Sequence, residues 1–252
     1  MSTTRTKSGP VEDIFSRSAI LVGPESLSIL ERSSVAVVGL GGVGSYAVEA
    51  LARAGVGRLV LMDFDRISPS NINRQIFALH STLGQAKAEV ARQRVLDINP
   101  GCQVQVFDEF VRRDDWSEDV LDEMDLVLDC IDSFSPKLHL IRTLLLKQQQ
   151  FISSMGAAGK LDVSRVCQGQ MSDTRNCPMA RRLRKFLRKN QCSLQFPVVY
   201  SDELPRYWQP LESVSTGVGR DRVMQGSMVF VPAAFGITIA SWACKTLFEG
   251  MA

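Results

Sequence analysis

The 252-residue sequence lacks closely paired cysteines and is poor in histidine. Its six cysteines form no C-x-x-C pair, and its two histidines are His80 and His139. Structural zinc sites usually use closely spaced cysteine and histidine ligands, so we expect no structural zinc. Basic residues outnumber acidic ones only by 29 to 27, so the net charge does not itself indicate a nucleic-acid partner. Hydrophobic residues make up 45% and charged residues 22%, which excludes a disordered or fibrous chain.

The sequence also lacks the apolar segment of a signal peptide, because its first 13 residues are mostly polar. We therefore expect a reducing, cytoplasmic location with free thiols. One stretch, 223–244, carries no charge and is long enough to span a bilayer. Pro232 divides it into a β-like run over 228–231 and a helix from Ala233. We predict a buried strand and a core helix there rather than a membrane span, while peripheral membrane association stays open.

Short apolar runs alternate with helical segments along the first part of the chain. The predicted strands are 35–38, 58–62, 104–107, 126–130 and 151–154, and the predicted helices are 14–31, 45–54, 85–99 and 136–149. This alternation predicts an α/β fold with a doubly wound, mostly parallel, Rossmann-like sheet.

The alternation of strands and helices ends after Gly156. The expected elements there are a strand over 160–170, a helix over 177–190 and a short strand over 198–200. We predict one domain over 1–252. It has a nucleotide-binding part over 14–158 and an elaborated C-terminal part over 159–252.

A glycine-rich turn follows the first strand and opens the next helix. Its glycines are Gly39, Gly41, Gly42 and Gly44. Glycines let the backbone approach a phosphate closely, and the helix N-terminus supplies N–H donors and a positive dipole. Asp63 ends the second strand, where an acid that binds the ribose of a nucleotide belongs. By this motif alone, a dinucleotide such as NAD is the leading ligand.

The residues after Asp63 favour a triphosphate instead. Arg74 and Lys87 supply two cations close to the glycine turn, and a triphosphate needs such charges because several anionic groups meet there. Asp129 and Asp132 lie at the carboxyl end of the fourth strand, on the side where open α/β sheets bind ligands. A carboxylate at this edge would hold Mg²⁺ on the phosphates. The pattern therefore predicts ATP and Mg²⁺ as cofactors.

Four stretches resemble the ubiquitin-activating-enzyme-like (ThiF/MoeB) superfamily, whose members adenylate carboxylates with ATP. They read VVGLGGVGS, LMDFDRISPSNINRQ, GQAKAE and LVLDCID. The site residues that this resemblance implies are Gly39, Gly41, Gly42, Gly44, Asp63, Asp65, Asn71, Arg74, Lys87 and Asp132. Asp63 would hold the ribose, and Asp132 would act at the magnesium ion and in catalysis. Asn71, Arg74 and Lys87 would contact the phosphates, the last two as catalytic residues.

The C-terminal part resembles one branch of this superfamily, the tRNA threonylcarbamoyladenosine dehydratases. The similar segments are MGAAGKLDVSRV, RRLRKFLRK, PVVYSDELP and GSMVFVPAAFGITIAS, and only the loop 206–221 has no clear counterpart. The resemblance implies ATP-dependent cyclisation of threonylcarbamoyladenosine beside the tRNA anticodon, through adenylation of its carboxylate. Arg17 resembles the arginine that reaches the ATP of a partner subunit, so a homodimer is expected. A sulfur-relay partner stays open.

A strongly basic helix is predicted in the C-terminal part. Its cations are Arg181, Arg182, Arg184, Lys185, Arg188 and Lys189. Leu183 and Leu187 are four residues apart and are expected to pack inward, which leaves a basic face suited to tRNA phosphates. Phe186 and Tyr200 are candidates for stacking on bases. The alternative is a solvated basic face with no ligand.

Other functions stay open at this point. The main alternative is adenylation of the C-terminus of a ubiquitin-like or sulfur-carrier protein, although such enzymes usually carry zinc-binding C-x-x-C pairs. NAD-dependent redox chemistry and non-catalytic RNA binding are further alternatives. Cys167, Cys177 and Cys192 lie where carrier-activating enzymes place a nucleophile, but none has a histidine neighbour in the sequence to activate the thiol.

Overall fold

The structure, a computed structural model, describes residues 14–108, 118–207, 213–214, 222–223 and 225–250. The polar N-terminal stretch before Ile14 lies outside these residues. Most of the loop 206–221, which has no clear counterpart in the resembling family, also lies outside them.

Seven strands form a single sheet that continues from the nucleotide-binding part into the C-terminal part. They are β1 (Ser34–Val38), β2 (Arg58–Met62), β3 (Gln103–Phe107), β4 (Leu126–Asp129), β5 (Phe151–Ser154), β6 (Val166–Gln170) and β7 (Pro197–Ser201). Their order is β3-β2-β1-β4-β5-β7-β6, and only the β6–β7 pair is antiparallel. This confirms the prediction of a doubly wound, mostly parallel α/β sheet. A separate hairpin consists of β8 (Ser213–Val214) and β9 (Arg222–Val223).

Helices cover both faces of the sheet. They are α1 (Ser16–Arg32), α2 (Gly44–Ala54), α3 (Lys87–Ile98), α4 (Glu118–Asp122), α5 (Phe134–Leu146), α6 (Pro178–Lys189) and α7 (Phe230–Gly250). Val35 and Val37 of β1 belong to the core with α2, α3 and α7, whereas Ala36 and Val38 belong to the core with α5 and α6. Because β1 is buried on both faces, it reads as a continuous apolar run rather than an alternating one.

The expected strand over 228–231 is wrong, because α7 already begins at Phe230. Pro232 lies in the first turn of this helix, where its missing N–H is not needed. Of the helices in the described ranges, α7 is the one long and apolar enough to cross a membrane. However, Phe235 and Ile239 are buried in the core, and α7 packs along α2. This packing agrees with the predicted core helix.

The strand expected over 160–170 is shorter than predicted. Only β6 is extended, because the preceding residues form a turn. The Asp162 carboxylate caps this turn by accepting a 2.9 Å hydrogen bond from the Ser164 N–H. Gly159, at φ +72°, redirects the chain before it.

A buried ion pair stands at the carboxyl end of β4. The Lys137 Nζ lies 2.6 Å from the Asp129 Oδ2, and neither side chain is exposed. The Ser153 hydroxyl donates to the same Oδ2 at 2.6 Å, and the Ile131 N–H donates to Oδ1 at 3.1 Å. The carboxylate is therefore neutralised and hydrogen-bonded inside the protein, which a buried charge requires.

Replacing Lys137 by Met would leave the Asp129 carboxylate buried without its cation. We expect the free energy of unfolding to fall by about 3–5 kcal/mol, as for other broken buried ion pairs. The matched control is Lys147→Met, because Lys147 forms an exposed ion pair with Asp122 whose loss costs about 1 kcal/mol or less. Urea unfolding followed by circular dichroism measures both variants. Equal losses in the two would contradict the role given to the buried pair.

Candidate active site

The glycine turn between β1 and α2 brings three segments into close contact. A Cβ at Gly44 would overlap the carbonyl oxygen of Gly39. A Cβ at Gly39 would lie 3.0 Å from the carbonyl group of Cys130, just after β4, and the φ of +92° at Gly39 also favours glycine. The N-terminus of α2 is thereby fixed at the point where the strand order changes direction, between β1 and β4. Free N–H groups at such a helix end bind phosphate.

The loop after β2 packs against this turn and brings predicted residues together. The Arg74 Cγ lies 3.4 Å from the position of a Cβ at Gly42, and the Gln75 Nε2 lies 3.9 Å from that at Gly41. Pro232 of α7 lies 3.0 Å from the same Cβ position at Gly42. Sequence reasoning identified the arginine and the two glycines but not the contacts of Gln75 and Pro232.

The Asp63 carboxylate connects the glycine turn to Lys87. It accepts hydrogen bonds from the Leu40 N–H at 2.6 Å and from the Asp65 N–H at 2.8 Å. The Lys87 Nζ lies 3.8 Å from the Asp63 carboxylate and 2.8 Å from that of Asp65. Burial raises the pKa of Asp63, and the Lys87 cation and the backbone N–H groups oppose this shift. The three side chains form one charged cluster at the carboxyl end of β2.

Local hydrogen bonds hold Arg74 and Asn71 beside this cluster. The Arg74 Nη1 donates to the Ser70 carbonyl oxygen at 2.8 Å and to the Asn73 Oδ1 at 2.9 Å. The Asn71 Oδ1 accepts a 3.1 Å hydrogen bond from the Ser68 N–H. A contact between Asn71 and a phosphate would therefore come from its Nδ2 group, which carries two donors.

Asp132 is the candidate cation ligand at the carboxyl end of β4. It is exposed and accepts a 3.3 Å hydrogen bond from the Ser133 hydroxyl. It lies two residues after Cys130, whose backbone contacts the glycine turn. Asp129 pairs with Lys137 in the core, so its assignment as a second candidate for magnesium is wrong. Asp132 stays a predicted ligand of Mg²⁺, an ion that prefers oxygen ligands such as an exposed carboxylate.

Arg17 is not brought to the glycine turn of its own chain. It is exposed on the first turn of α1. The ring of Phe15, two residues earlier, lies 3.3 Å from the Cβ position of Gly55 at the C-terminal end of α2. Because α2 has 11 residues, that end is about 16 Å from the glycine turn. The start of α1 therefore packs at the end of α2 that lies opposite the glycine turn.

The predicted basic helix is present as α6. Its exposed cations are Arg181, Arg182, Lys185, Arg188 and Lys189. Leu183 and Leu187 are buried, which confirms that they pack inward. Arg184 instead donates hydrogen bonds to the carbonyl and hydroxyl oxygens of Thr174, so it anchors the helix more than it extends the exposed face.

The two aromatic candidates for base stacking differ in exposure: Tyr200 is buried, whereas Phe186 is 39% exposed and stays a prediction. Tyr200 is 6% exposed and belongs to the core, so its assignment as a stacking residue is wrong. The Phe186 ring packs edge-on against Phe134 with centroids 5.3 Å apart. The guanidinium carbon of Arg182 lies 3.7 Å from the centre of the same Phe134 ring. These contacts stabilise the position of α6 on α5.

Burial or capping accounts for three of the six cysteines, while the role of Cys167 and Cys192 stays open. All six are free thiols. Burial raises the pKa of Cys102 and Cys244 to about 11. The buried Cys177 caps α6, its sulfur accepting a hydrogen bond from the Ala180 N–H at 3.5 Å. This capping contact is a structural role.

Comparison with known proteins places these features in a family. The ThiF family profile matches residues 15–250. A tRNA threonylcarbamoyladenosine dehydratase of Bacillus subtilis (strain 168) is 39% identical over 242 residues, which cover 93% of this chain and 94% of the relative. That of Escherichia coli (strain K12) is 34% identical over 248 residues and 92% of each chain.

A solved structure agrees with the sequence comparison. The E. coli tRNA N6-threonylcarbamoyladenosine dehydratase in complex with ATP has a TM-score of 0.84 and 33% identity, over 94% of both chains. Its complex with AMP has the same TM-score over 97% of this chain and 99% of that one. Because the family profile and these relatives cover nearly the whole chain, the protein belongs to the ThiF family.

Proposed function

We propose that this protein is an ATP-dependent tRNA threonylcarbamoyladenosine dehydratase. The observation that carries the proposal is the match, over more than nine tenths of both chains, to enzymes of that name, one of them solved with ATP and with AMP. The substrate is the threonylcarbamoyl-modified adenosine beside the anticodon of a tRNA.

The reaction first converts the substrate carboxylate into a better electrophile. A carboxylate oxygen attacks the α-phosphate of ATP, so that an acyl-adenylate forms and pyrophosphate leaves. A carbamoyl nitrogen or oxygen of the same side chain then attacks the activated carbonyl carbon. The ring closes, a proton leaves the carbamoyl group and AMP departs with one carboxylate oxygen. The second step needs no enzyme nucleophile, because the attacking group is held on the same molecule.

The contribution of the protein is mainly electrostatic. Arg74 lies beside the glycine turn, and Lys87 is connected to the turn through Asp63. Both would stabilise the charge that develops on the phosphates. Asp63 would accept hydrogen bonds from the ribose, with Asp65 as part of the same cluster. Mg²⁺, when bound at Asp132, would neutralise further phosphate charge.

We infer that residues 1–252 act as one unit, in which 14–158 bind the nucleotide and 159–252 contact the substrate. The position of Arg17, away from the glycine turn of its own chain, supports a homodimer in which this arginine serves the partner's site. A tRNA substrate supports a cytoplasmic location. The buried face of α7 favours a core role for this helix over peripheral membrane association.

The direct test is incubation with ATP, Mg²⁺ and tRNA that bears threonylcarbamoyladenosine. After digestion of the tRNA, mass spectrometry should show a nucleoside lighter by one water, formed in equal amount to AMP. The carrier-protein alternative predicts instead AMP attached to the C-terminal glycine of a ubiquitin-like protein. That result, without any change in the tRNA, would overturn the proposal.

Removing either phosphate-facing cation should stop the reaction. Arg74→Ala or Lys87→Ala should lower AMP formation by roughly 10²–10³-fold, as when one donor to a developing charge is lost. The matched control is Arg66→Ala, since Arg66 lies in the same loop but donates to the Gly84 carbonyl oxygen. Thermal melting should accompany the assay, because Lys87 also neutralises buried Asp63. Near-normal turnover in both variants would refute the site assignment.

Reversing charge on α6 should weaken tRNA binding without affecting ATP. We choose Arg181, Lys185 and Arg188, which are exposed, and leave the anchoring Arg184 intact. Changing all three to Glu should raise the Michaelis constant for tRNA strongly and leave that for ATP nearly unchanged. The logarithm of the tRNA affinity falls linearly with the logarithm of the salt concentration. Each lost phosphate contact should make this slope shallower by about 0.9 if the contact is to a duplex and by about 0.7 if it is to a single strand.

A second charge-reversal triple controls for the change in net charge. Arg32, Arg53 and Lys245 are exposed and lie on α1, α2 and α7. Changing these three to Glu alters the net charge equally but should affect tRNA binding much less. Equal effects of the two triples would mean that α6 is only a solvated face. No effect of either would count against tRNA as the substrate.

A further inference from the structure

The carboxyl ends of the parallel strands place five loops side by side. The loops after β2, β1 and β4 carry Asp63, the glycine turn and Asp132, which are assigned to the nucleotide. The next two loops along the same edge follow β5 and β7 and carry Gly159 and Tyr207. The assignments above give these two residues no role.

The Tyr207 ring rests directly on the bare backbone of Gly159. A Cβ at Gly159 would lie 2.8 Å from the Tyr207 Cζ, and the φ of +72° at this position also favours glycine. The ring is 39% exposed despite this contact. One side of the Tyr207 ring thus packs on the backbone of Gly159, and another side of the ring is exposed to solvent.

Buried charged groups fix the two loops that meet at Tyr207. The Lys160 Nζ donates a 2.5 Å hydrogen bond to the Ser201 carbonyl oxygen. The Glu203 carboxylate accepts hydrogen bonds from the Leu161 N–H at 3.0 Å and the Asp162 N–H at 2.9 Å. Both charged residues are at most 3% exposed. A ring held on such a frame loses little conformational freedom when a ligand binds to it.

One segment joins the tyrosine to the phosphate side of the nucleotide site. The Gly226 carbonyl oxygen accepts a 2.8 Å hydrogen bond from the Gly159 N–H. The next residue, Ser227, accepts through its carbonyl oxygen a 2.9 Å hydrogen bond from the Asn73 side chain. Five residues further on, Pro232 contacts Gly42 of the glycine turn. Tyr207 and the glycine turn therefore line the same edge of the molecule.

We propose that Tyr207 is the platform on which the adenine base of the modified nucleotide stacks. This inference rests on the proposed function and assigns a binding residue for its substrate. Proteins that read unpaired RNA bases commonly stack them on exposed aromatic rings. The exposed ring of Tyr207 provides such a surface at the sheet edge where the carboxylate is activated.

The size of the substrate fits this position. Five covalent bonds separate the carboxyl carbon from the adenine ring, which gives a reach of roughly 6 Å when extended. Neighbouring strands lie about 4.8 Å apart, so the loops after β5 and β7 are about 7 and 12 Å from the boundary between β1 and β4. With its carboxylate at the α-phosphate between β1 and β4, a substrate extended along this edge would bring the near side of its base to the loop after β5. The base itself would then extend toward Tyr207 in the loop after β7.

Two substitutions test stacking while leaving the nucleotide site intact. Tyr207→Leu keeps an apolar side chain but removes the ring, and Tyr207→Phe keeps the ring. We expect Tyr207→Leu to raise the Michaelis constant for modified tRNA by about ten- to a hundredfold, the range found for one lost base–aromatic stack. Tyr207→Phe should stay close to wild type, and the Michaelis constant for ATP should not change. Leu146→Ala, an exposed apolar change on α5, is the control for surface substitution.

The free nucleoside separates this base contact from phosphate contacts. Calorimetric binding of N6-threonylcarbamoyladenosine should weaken in Tyr207→Leu but not in the charge-reversed α6 triple. If Tyr207→Leu melts at a lower temperature than wild type, binding is measured at a temperature at which both proteins are fully folded, and Tyr207→Phe stays the matched comparison. Suppose that the wild-type enzyme dehydrates tRNA. If Tyr207→Leu then has the same Michaelis constant for tRNA, or if Tyr207→Phe is impaired as much as Tyr207→Leu, the stacking role is overturned and the proposed function stands. A wild-type enzyme that does not change the tRNA would overturn the proposed function.

Discussion

The packing of Gly44 against Gly39 and of Gly39 against the backbone after β4 is the constraint on which the site depends. Neither contact leaves room for a side chain. Together they set the N-terminus of α2 at the boundary between β1 and β4. The other side of this helix is held by α7, because a Cβ at Gly236 would overlap the Val43 carbonyl oxygen and would lie 2.7 Å from the Tyr46 Cβ. The C-terminal part therefore helps to position the helix that follows the glycine turn.

Acidic residues around this turn divide into two groups. Asp129 is buried, paired with Lys137, and accepts a hydrogen bond from the Ile131 N–H, so it shapes the turn that leads to Asp132. Asp132 is exposed, so its carboxylate can interact with a ligand. Asp63 combines both functions, since backbone N–H groups hold its carboxylate while it stands at the nucleotide edge. The buried charges hold the loops in place, and the exposed charges face ligands. Such fixed charges give a site its electrostatic field before the ligand binds.

Much of the fold could be predicted from the sequence, because its signals are local. Strands 58–62 and 151–154 were bounded correctly. The first is a mostly apolar run between Gly57 and Asp63, and the second begins where a run of three glutamines ends. The start of α7 was wrong because Pro232 resembled a helix breaker, whereas the first turn of a helix tolerates proline. The glycine turn, Asp63, Arg74 and Lys87 could be named in advance because their spacing along the chain is characteristic.

The residues that were missed depend on contacts distant in sequence. Lys137 could have been suspected, because it lies three, four and seven residues before Leu140, Ile141 and Leu144 and so shares their buried helix face. The contact of Tyr207 with Gly159 joins two loops that are distant in sequence and that the β5–β7 pairing brings together. Tyr200 is buried because β7 lies between two other strands. The sequence predicted a short strand there but not its position inside the sheet.

The central claim is that the substrate carboxylate attacks the α-phosphate of ATP at this site. It can be tested most directly with threonylcarbamoyladenosine tRNA labelled with ¹⁸O in the carboxylate. The account predicts that each turnover transfers one ¹⁸O atom to the phosphate of AMP, while the other stays in the ring of the dehydrated nucleoside. Recovery of the label in inorganic phosphate with release of ADP, or AMP without label, would contradict it.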